Sequence, residues 1–441
     1  GVNAAVLSSD PVLLSAEGVA AGLSAEDVVF DVDFVVKKLT PSASVITLTF
    51  DDNVDLAELE LAAGASEITV DNDPALGTGV ITAANTAGNA TAGDTLITFD
   101  YGTGSFTFDR LTVDADAGTI VFEVNLGNPV TAESAFRMSF ATEAGVDFDG
   151  ASSVSYASEE SDGTAIETGT GVLAKTQTQF GFSVAKGFDG RIERITQQSF
   201  TRNGDDAANA TVDELAFVFT NDESGLEANL VVTDLDVEFA GNFDNDATVA
   251  ANQVEAAAGT MAVAADFSSV DFALGAGPAL VDGTKNTYTV TFTGDTGAAA
   301  IVIPQTGSIE ATATVSATAG GAAVTPFAIA TNVDAGEWAL DATVINVPYF
   351  PVGFEGLSTS VHFANESANA ADVIITAIDQ KGNEYSSSAL ADLAGDTVTK
   401  VSQVTIMDLL GAPAGSKLSV TFNIDANDGD VNAYAFSNAG T

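Results

Sequence analysis

Hydrophobic side chains recur at every second position along most of this chain. Leu215, Phe217 and Phe219 alternate with Ala216, Val218 and Thr220. After the turn cluster Asn221-Asp222-Glu223-Ser224-Gly225, Leu235, Val237 and Phe239 alternate with Asp234, Asp236 and Glu238. A period of two places the apolar side chains on one face of a strand and the carboxylates on the other. Asn, Asp and Gly accept the backbone angles of a turn and bond their own backbone. The pattern predicts a strand, an acidic turn and a second strand with an acidic outer face. It recurs in Phe30/Val32/Phe34, Ile46/Leu48/Phe50, Leu59/Leu61, Ile68/Val70, Ile97/Phe99/Tyr101, Leu111/Val113, Ile120/Phe122/Val124, Phe136/Met138/Phe140, Phe180/Phe182/Val184, Tyr288/Val290/Phe292 and Ile309/Ala311/Ala313/Val315. Gly102-Thr103-Gly104 reads as a hairpin turn.

Helical spacing is scarce. Short helical turns fit Ser388–Leu393 and Ile406–Leu410; after Pro11–Leu14 a short helix is weakened by Gly18 and Gly22, and residues 1–27 read as an N-terminal arm or edge strand. Many short strands separated by turns predict an all-β chain of several sandwich-like (immunoglobulin-like) domains in tandem, with little helix. The expected partition is an N-terminal arm at 1–27, β-sandwiches at 28–175 and 176–345, and an immunoglobulin-like domain at 346–441. Residues 150–172, rich in Ser, Glu and Gly, read as a loop or boundary. Val347-Pro348-Tyr349-Phe350-Pro351 reads as a stiff connector, because both prolines restrict the backbone.

Charge narrows the function. The 441 residues carry 62 acids against 13 Lys and Arg, a net charge of -49. Phosphate backbones require a basic patch, so nucleic acid is excluded as a partner, and anionic lipid is disfavoured. Such charge opposes compaction and association unless salt or bound cations screen it. There are no cysteines, hence no disulfides and no thiolate metal sites. No apolar run approaches the ~20 residues of a membrane-spanning helix, so no transmembrane segment is expected. Gly1 stands where a methionine would, read as removal of a signal peptide or trimming.

Catalytic motifs are missing. His362 is the sole histidine and lies between Val361 and Phe363, on the polar side of its strand. There is no zinc motif, no phosphate-cradling loop and no nucleophile elbow, and acid pairs are too frequent for any one to mark a glycosidase. The chain is therefore read as non-enzymatic. Ca2+ is the better candidate ligand, since hard cations take several oxygens from Asp, Asn and backbone carbonyls. Candidate clusters are Asp51, Asp52, Asn53 and Asp55; Asp71, Asn72 and Asp73; Asp147 and Asp149; Asp244, Asn245 and Asp246; and Asp425, Asn427, Asp428 and Asp430. Each also reads as an ordinary turn. The last resembles an EF-hand loop, with Gly429 one residue early and the terminal Glu missing. Five of the 13 cations fall between Lys175 and Arg202. Of these, Arg191, Arg194 and Arg202 are candidate interface residues toward an acidic neighbour or lipopolysaccharide phosphate, with local charge balance as the alternative.

After Pro351, strands are expected at Leu357–Phe363, Val373–Asp379, Thr397–Ser402, Lys417–Ile424 and Val431–Ser437, with a hairpin turn at Asp379–Asn383. Val347–Gly353, Phe363-Ala364-Asn365, Asp372–Asp379, Gly415–Phe422 and Asp425–Asn438 resemble the C-terminal part of the surface-layer (S-layer) proteins of marine gammaproteobacteria, typified by Pseudoalteromonas. The resemblance is looser over the rest of the chain, and the family has no catalytic residues to carry over. It implies a secreted structural protein that tiles into a lattice with copies of itself on the outer face of the outer membrane, with divalent cations; lipopolysaccharide or an outer-membrane anchor is a candidate further partner. A secreted adhesin or pilus-like filament subunit is the main alternative, and it would expose a cluster of aromatics for carbohydrate. A viral coat protein is another.

Overall fold

The structure, a computed structural model, describes residues 4–56, 68–72, 74–75, 80–82, 96–100, 107–140, 146–204, 212–244, 254–256, 260–273, 285–292 and 302–439. The expected strand at Leu59/Leu61 and the turn at Gly102–Gly104 lie outside these residues. The fold is all-β, with sandwich sheets in tandem around separate hydrophobic cores. The helices among the described residues are Ala16–Ala20 and Gln403–Leu410.

In the first sandwich one sheet has the order Val6–Ser8, Phe30–Val35, Ala135–Phe140, Ile68–Asp71, Val80–Thr82. The facing sheet runs Leu226–Glu227, Val12–Ser15, Ala165–Gln177, Ser152–Glu159, Val45–Phe50, Thr119–Val124, Phe108–Asp114, Leu96–Asp100. Period-2 burial is strict: Phe30, Val32 and Phe34 are buried, while Asp31 and Asp33 are not. Phe30 stacks on Phe140 at 4.5 Å and Phe34 on Phe136 at 5.2 Å. Such pairs add about 0.5–1.5 kcal/mol each beyond area burial.

The segment 150–172 is a hairpin, not a loop: Ser152–Glu159 pairs with Ala165–Gln177. Its glycines mark close packing. A Cβ at Gly169 would lie 2.3 Å from the Ala5 carbonyl oxygen, and one at Gly171 would lie 2.8 Å from Leu7 Cβ. The N-terminal strand thus packs on a strip that only glycine leaves open.

Residues 12–28 tie two cores together. Val12–Ser15 runs parallel to Ala165–Gln177 on one side and to Leu226–Glu227 on the other. Ser15 caps the helix Ala16–Ala20 through Gly18 N. The Glu17 carboxylate accepts from Gln179 N at 2.8 Å. The buried Gln179 side chain accepts from Ser15 Oγ and Leu230 N, and donates to Asn221 Oδ1 and the Leu230 carbonyl.

The second core lies between the strands that carry the founding pattern. Val212–Asn221 belongs to one sheet and Val231–Ala240 to the other, and Leu215, Phe217, Phe219, Leu235, Val237 and Phe239 are all buried. Trp338 fills this core, with Phe188, Phe200 and Phe243 at 5.3–6.0 Å.

In the third, the sheet Thr343–Val352, Ser416–Ile424, Ala371–Asp379, Glu384–Leu393 faces Thr397–Ser402, Leu357–Asn365, Val431–Ala439. Two expectations are corrected. Val347–Pro351 is part of the strand Thr343–Val352, which tolerates Pro348 and Pro351 because it pairs on one side only and shifts register between Val347 and Phe350. Ser388–Leu393 is strand, since Leu390 and Leu393 pack into the core from Glu384–Leu393. Ile406–Leu410 is helical within Gln403–Leu410, capped by Ser402 Oγ and ended by Gly411 at φ 65°.

Candidate functional site

The fold brings together two acidic clusters that lie ninety residues apart in the chain. The short strands Val54–Asp55 and Asp147–Phe148 pair, setting Asp147 opposite Asp55. Asp149 N bonds the Asn53 carbonyl at 2.8 Å, and Asn53 Nδ2 bonds the Ala151 carbonyl at 2.9 Å. Asp51 spans the join, accepting from Asn53 N at 3.0 Å and Ser153 N at 2.6 Å. Glu26 and Asp27, which no spacing in the sequence singles out, join the group: Asp147 Oδ1 accepts from Asp27 N at 2.9 Å, and Ser24 donates to Asp149 Oδ1. Burial pushes the Asp147 carboxyl above its ordinary pKa, and the charges of Asp27, Glu26 and Asp55 add to the rise. Asp52, beside them, is exposed.

The other clusters do different things. Asp71 is buried opposite Arg137, which forms a bidentate pair with Asp33 at 2.7 and 2.8 Å. The Asp33 hydrogen bond and charge hold this guanidinium firmly protonated. Asn72 is exposed beside Asp71, and Asp73 lies outside the described residues. Asp244 N closes a turn on Asn242 Oδ1 at 3.1 Å, while Asn245 and Asp246 lie outside the described residues. The Asp425 loop closes on itself: Asp430 N bonds the Asn427 carbonyl, Thr343 Oγ1 donates to the same carbonyl at 2.5 Å, and Gly429 has φ 86°. Asp428 sits at the tip of that loop. Among the described residues no three acidic or histidine side chains stand close enough to hold a metal ion. A calcium ion here would need main-chain carbonyls, water or a neighbouring subunit to complete its oxygen shell.

Each candidate arginine meets a carboxylate of its own chain. Arg191 and Arg202 lie opposite one another across Arg191–Ile192 and Phe200–Arg202. Arg191 pairs with Glu337 at 3.5 Å and Arg202 with Asp341 at 2.7 Å. Burial opposes ionisation of Asp341, yet hydrogen bonds from Arg202 and Thr201 outweigh it and lower its pKa. The two arginines, with Asp189, Thr201 and Asn203, line an open cleft. Arg194, its side chain 8% exposed, reaches the third core and pairs with Asp372 and Asp425. To contact another molecule, Arg194 would have to give up both pairs.

One feature escaped the sequence. Across Leu357–Asn365 and Val431–Ala439, His362 lies opposite Tyr434, and its ring stands 5.5 Å from Tyr434 and 5.3 Å from Phe436, nearly parallel to both. Tyr434 is 64% and Phe436 44% exposed. The signal lay in two aromatics spaced by two in the expected strand Val431–Ser437, and only the pairing of that strand with Leu357–Asn365 brings them to His362.

No curated protein matches the chain. Among solved structures it is similar to a marsupial T cell receptor (9% identity, 99% of both chains, TM-score 0.26). It is also similar to a biofilm associated protein BSP domain (10% identity, 98% of this chain and 81% of that one, TM-score 0.18). A collagen adhesin from S. aureus is matched at 7% identity over 76% of this chain and 91% of that one, with a TM-score of 0.14. TM-scores this low carry no argument about function. The family described as S-layer protein Slr4 matches residues 44–441, nearly the whole chain, and the chain therefore belongs to the S-layer protein Slr4 family.

Proposed function

We propose that this chain is a subunit that assembles with copies of itself into a two-dimensional layer on the outer face of the outer membrane, held together with calcium. Family membership over residues 44–441 carries the reading. Tandem sandwiches without a catalytic constellation among the described residues suit a structural, non-enzymatic role. A marine gammaproteobacterial source and export behind a cleaved signal peptide belong to the same reading, supported by the acid excess and by the C-terminal motifs.

Calcium enters because of charge. Two unit charges about 4 Å apart at an effective dielectric near 20 interact by about 4 kcal/mol. Subunits of net charge -49 repel at close range unless cations bridge them. Monovalent salt screens without bridging, since it lacks multi-oxygen coordination. The group of Glu26, Asp27, Asp51, Asp55, Asp147 and Asp149 is the favoured place, its incomplete oxygen shell finished by a neighbour. The cleft of Arg191 and Arg202 is the favoured contact for lipopolysaccharide phosphate or another outer-membrane anchor. Negative-stain microscopy of purified protein tests the reading. Sheets should form with calcium, disperse in chelator, and return less well in sodium chloride of equal ionic strength. Sheets that persist in excess chelator, with no calcium by elemental analysis, refute the calcium part; single particles under all conditions refute the layer.

A further inference from the structure

The sheet Thr397–Ser402, Leu357–Asn365, Val431–Ala439 differs from the rest of the surface. In a chain with 62 acids, these three strands contain no Asp or Glu, and their basic side chains are Lys400 and His362. Lys400 lies opposite His362 across one strand pair and Tyr434 lies opposite it across the other. With Phe436 and the 71%-exposed Val398 they form an apolar, weakly cationic face. Among the described residues Val431–Ala439 is also the edge of this sheet, pairing with Leu357–Asn365 over nine residues without a register shift. Exposed edges are normally blunted by charge, proline or bulges. Both edges of the opposing sheet are protected in that way: Thr343–Val352 carries Pro348, Pro351 and an irregularity, and Glu384–Leu393 carries Glu384, Asp392 and register shifts. Val-Asn-Ala-Tyr-Ala-Phe-Ser-Asn-Ala carries no such device.

We infer that Val431–Ala439 pairs antiparallel with the same strand of a second copy of this chain, continuing the sheet across a two-fold axis. This deepens the self-assembly reading and rests on it. Charge selects the occupant. A second chain of net charge -49 is repelled by acidic faces and meets no carboxylate here, and like charges directly opposite destabilise paired strands. The edge is also self-complementary. Tyr434 and Phe436 flank Ala435, so a two-fold through Ala435 sets each ring opposite the other ring of the second copy, and Asn432 opposite Asn438. The aromatic row begun at His362 then continues across the interface, with main-chain hydrogen bonds supplied by the free edge.

The chain has no cysteine, so introduced thiols report cleanly. In the double variant Asn432→Cys/Asn438→Cys the two positions are ~20 Å apart along one strand, too far for a bond within a chain. Oxidation of protein assembled with calcium should give covalent dimers as the main species on a non-reducing gel. Cysteines at Ser386 and Asp392, exposed on the edge of the other sheet, should give none. If sheets form but Asn432→Cys/Asn438→Cys gives no dimer, or both pairs cross-link equally, the interface is wrong while self-assembly stands. If the wild-type protein stays monomeric, both fall. In a second arm, Tyr434→Lys/Phe436→Lys should keep the wild-type circular dichroism spectrum and lose sheets. Should that variant assemble normally yet lose binding to outer-membrane polysaccharide, the face is a saccharide site and the pairing is overturned; should it misfold, the cysteine arm decides.

Discussion

Asp213 is a carboxylate sealed inside the second core, and replacing it with Asn tests how that core handles charge. The Oδ2 atom accepts from Trp338 Nε1 at 2.7 Å, Gly190 N at 3.0 Å and Asp189 N at 3.1 Å, and Oδ1 accepts from Glu214 N at 2.9 Å. Burial pushes its pKa from 3.8 up to about 6, against the pull of those donors. The unfolded chain releases this proton near 3.8 and the folded chain near 6. Between those values the folded state binds more protons, so Asp213's contribution to stability is fully present below pH 3.8 and is lost as pH rises through about 6. At ~1.36 kcal/mol per pH unit the loss is about 3 kcal/mol. Asp213→Asn keeps the shape but cannot ionise, and its amide N–H2 faces donors, which costs about 1–3 kcal/mol at any pH. The variant should therefore be less stable than wild type at pH 4, and by pH 7 the difference should fall by about 2–3 kcal/mol, so that it closes or reverses. Urea unfolding followed by fluorescence reads this directly, because Trp338 is the sole tryptophan and lies against Asp213. A gap constant within about 0.5 kcal/mol from pH 4 to 7 would refute the reasoning.

Three further outcomes are expected. Gly18→Ala would put a Cβ 1.8 Å from the Ala228 carbonyl oxygen, so it should destabilise the protein by about 1–3 kcal/mol, read as a lower melting temperature and faster proteolytic nicking near residue 20. Arg194→Ala leaves Asp372 and Asp425 without their cation and should cost about 1–3 kcal/mol, with faster amide exchange around residues 372 and 425; unchanged exchange there would show that the pairs do not couple the second and third cores. In the hairpin Asp379–Asn383, hydrogen bonds from Asn383, Lys381 and Tyr385 lower the Asp379 pKa to about 2. Its contribution is present above pH 3.8 and lost toward pH 2, so Asp379→Asn should flatten the acid limb of an exchange–pH profile for this turn.

Period-2 alternation made the strands legible because antiparallel strands with one wet face force it, as Asp31/Asp33 against Phe30/Val32/Phe34 show. What the sequence hid depended on partners far away in the chain. Gly169 and Gly171 look like loop residues until the strand Val6–Ser8 lies across them. Pro348 and Pro351 look like a linker until the strand proves to be an edge. The acidic clusters at 51–55 and 147–149 were visible, but their union and the addition of Glu26 and Asp27 followed from sheet pairing alone. Arg194 was visible as a cation, while Asp372 and Asp425 as its partners depended on how the third core sits against it. The His362, Tyr434 and Phe436 row required the register of two strands.

The strand Val12–Ser15 also fixes an order of events. Its two partners lie about 160 and 210 positions further along the chain. Closing loops that long slows folding far more than it weakens the finished state. The segment synthesised first is thus seated among the last. Until residue 227 exists, Val12–Ser15 lacks its second partner, Gln179 lacks Leu230, and the start of the chain stays unlocked. A polypeptide interrupted before that point cannot close its own first sheet, so more than half of it must be present before its beginning becomes permanent.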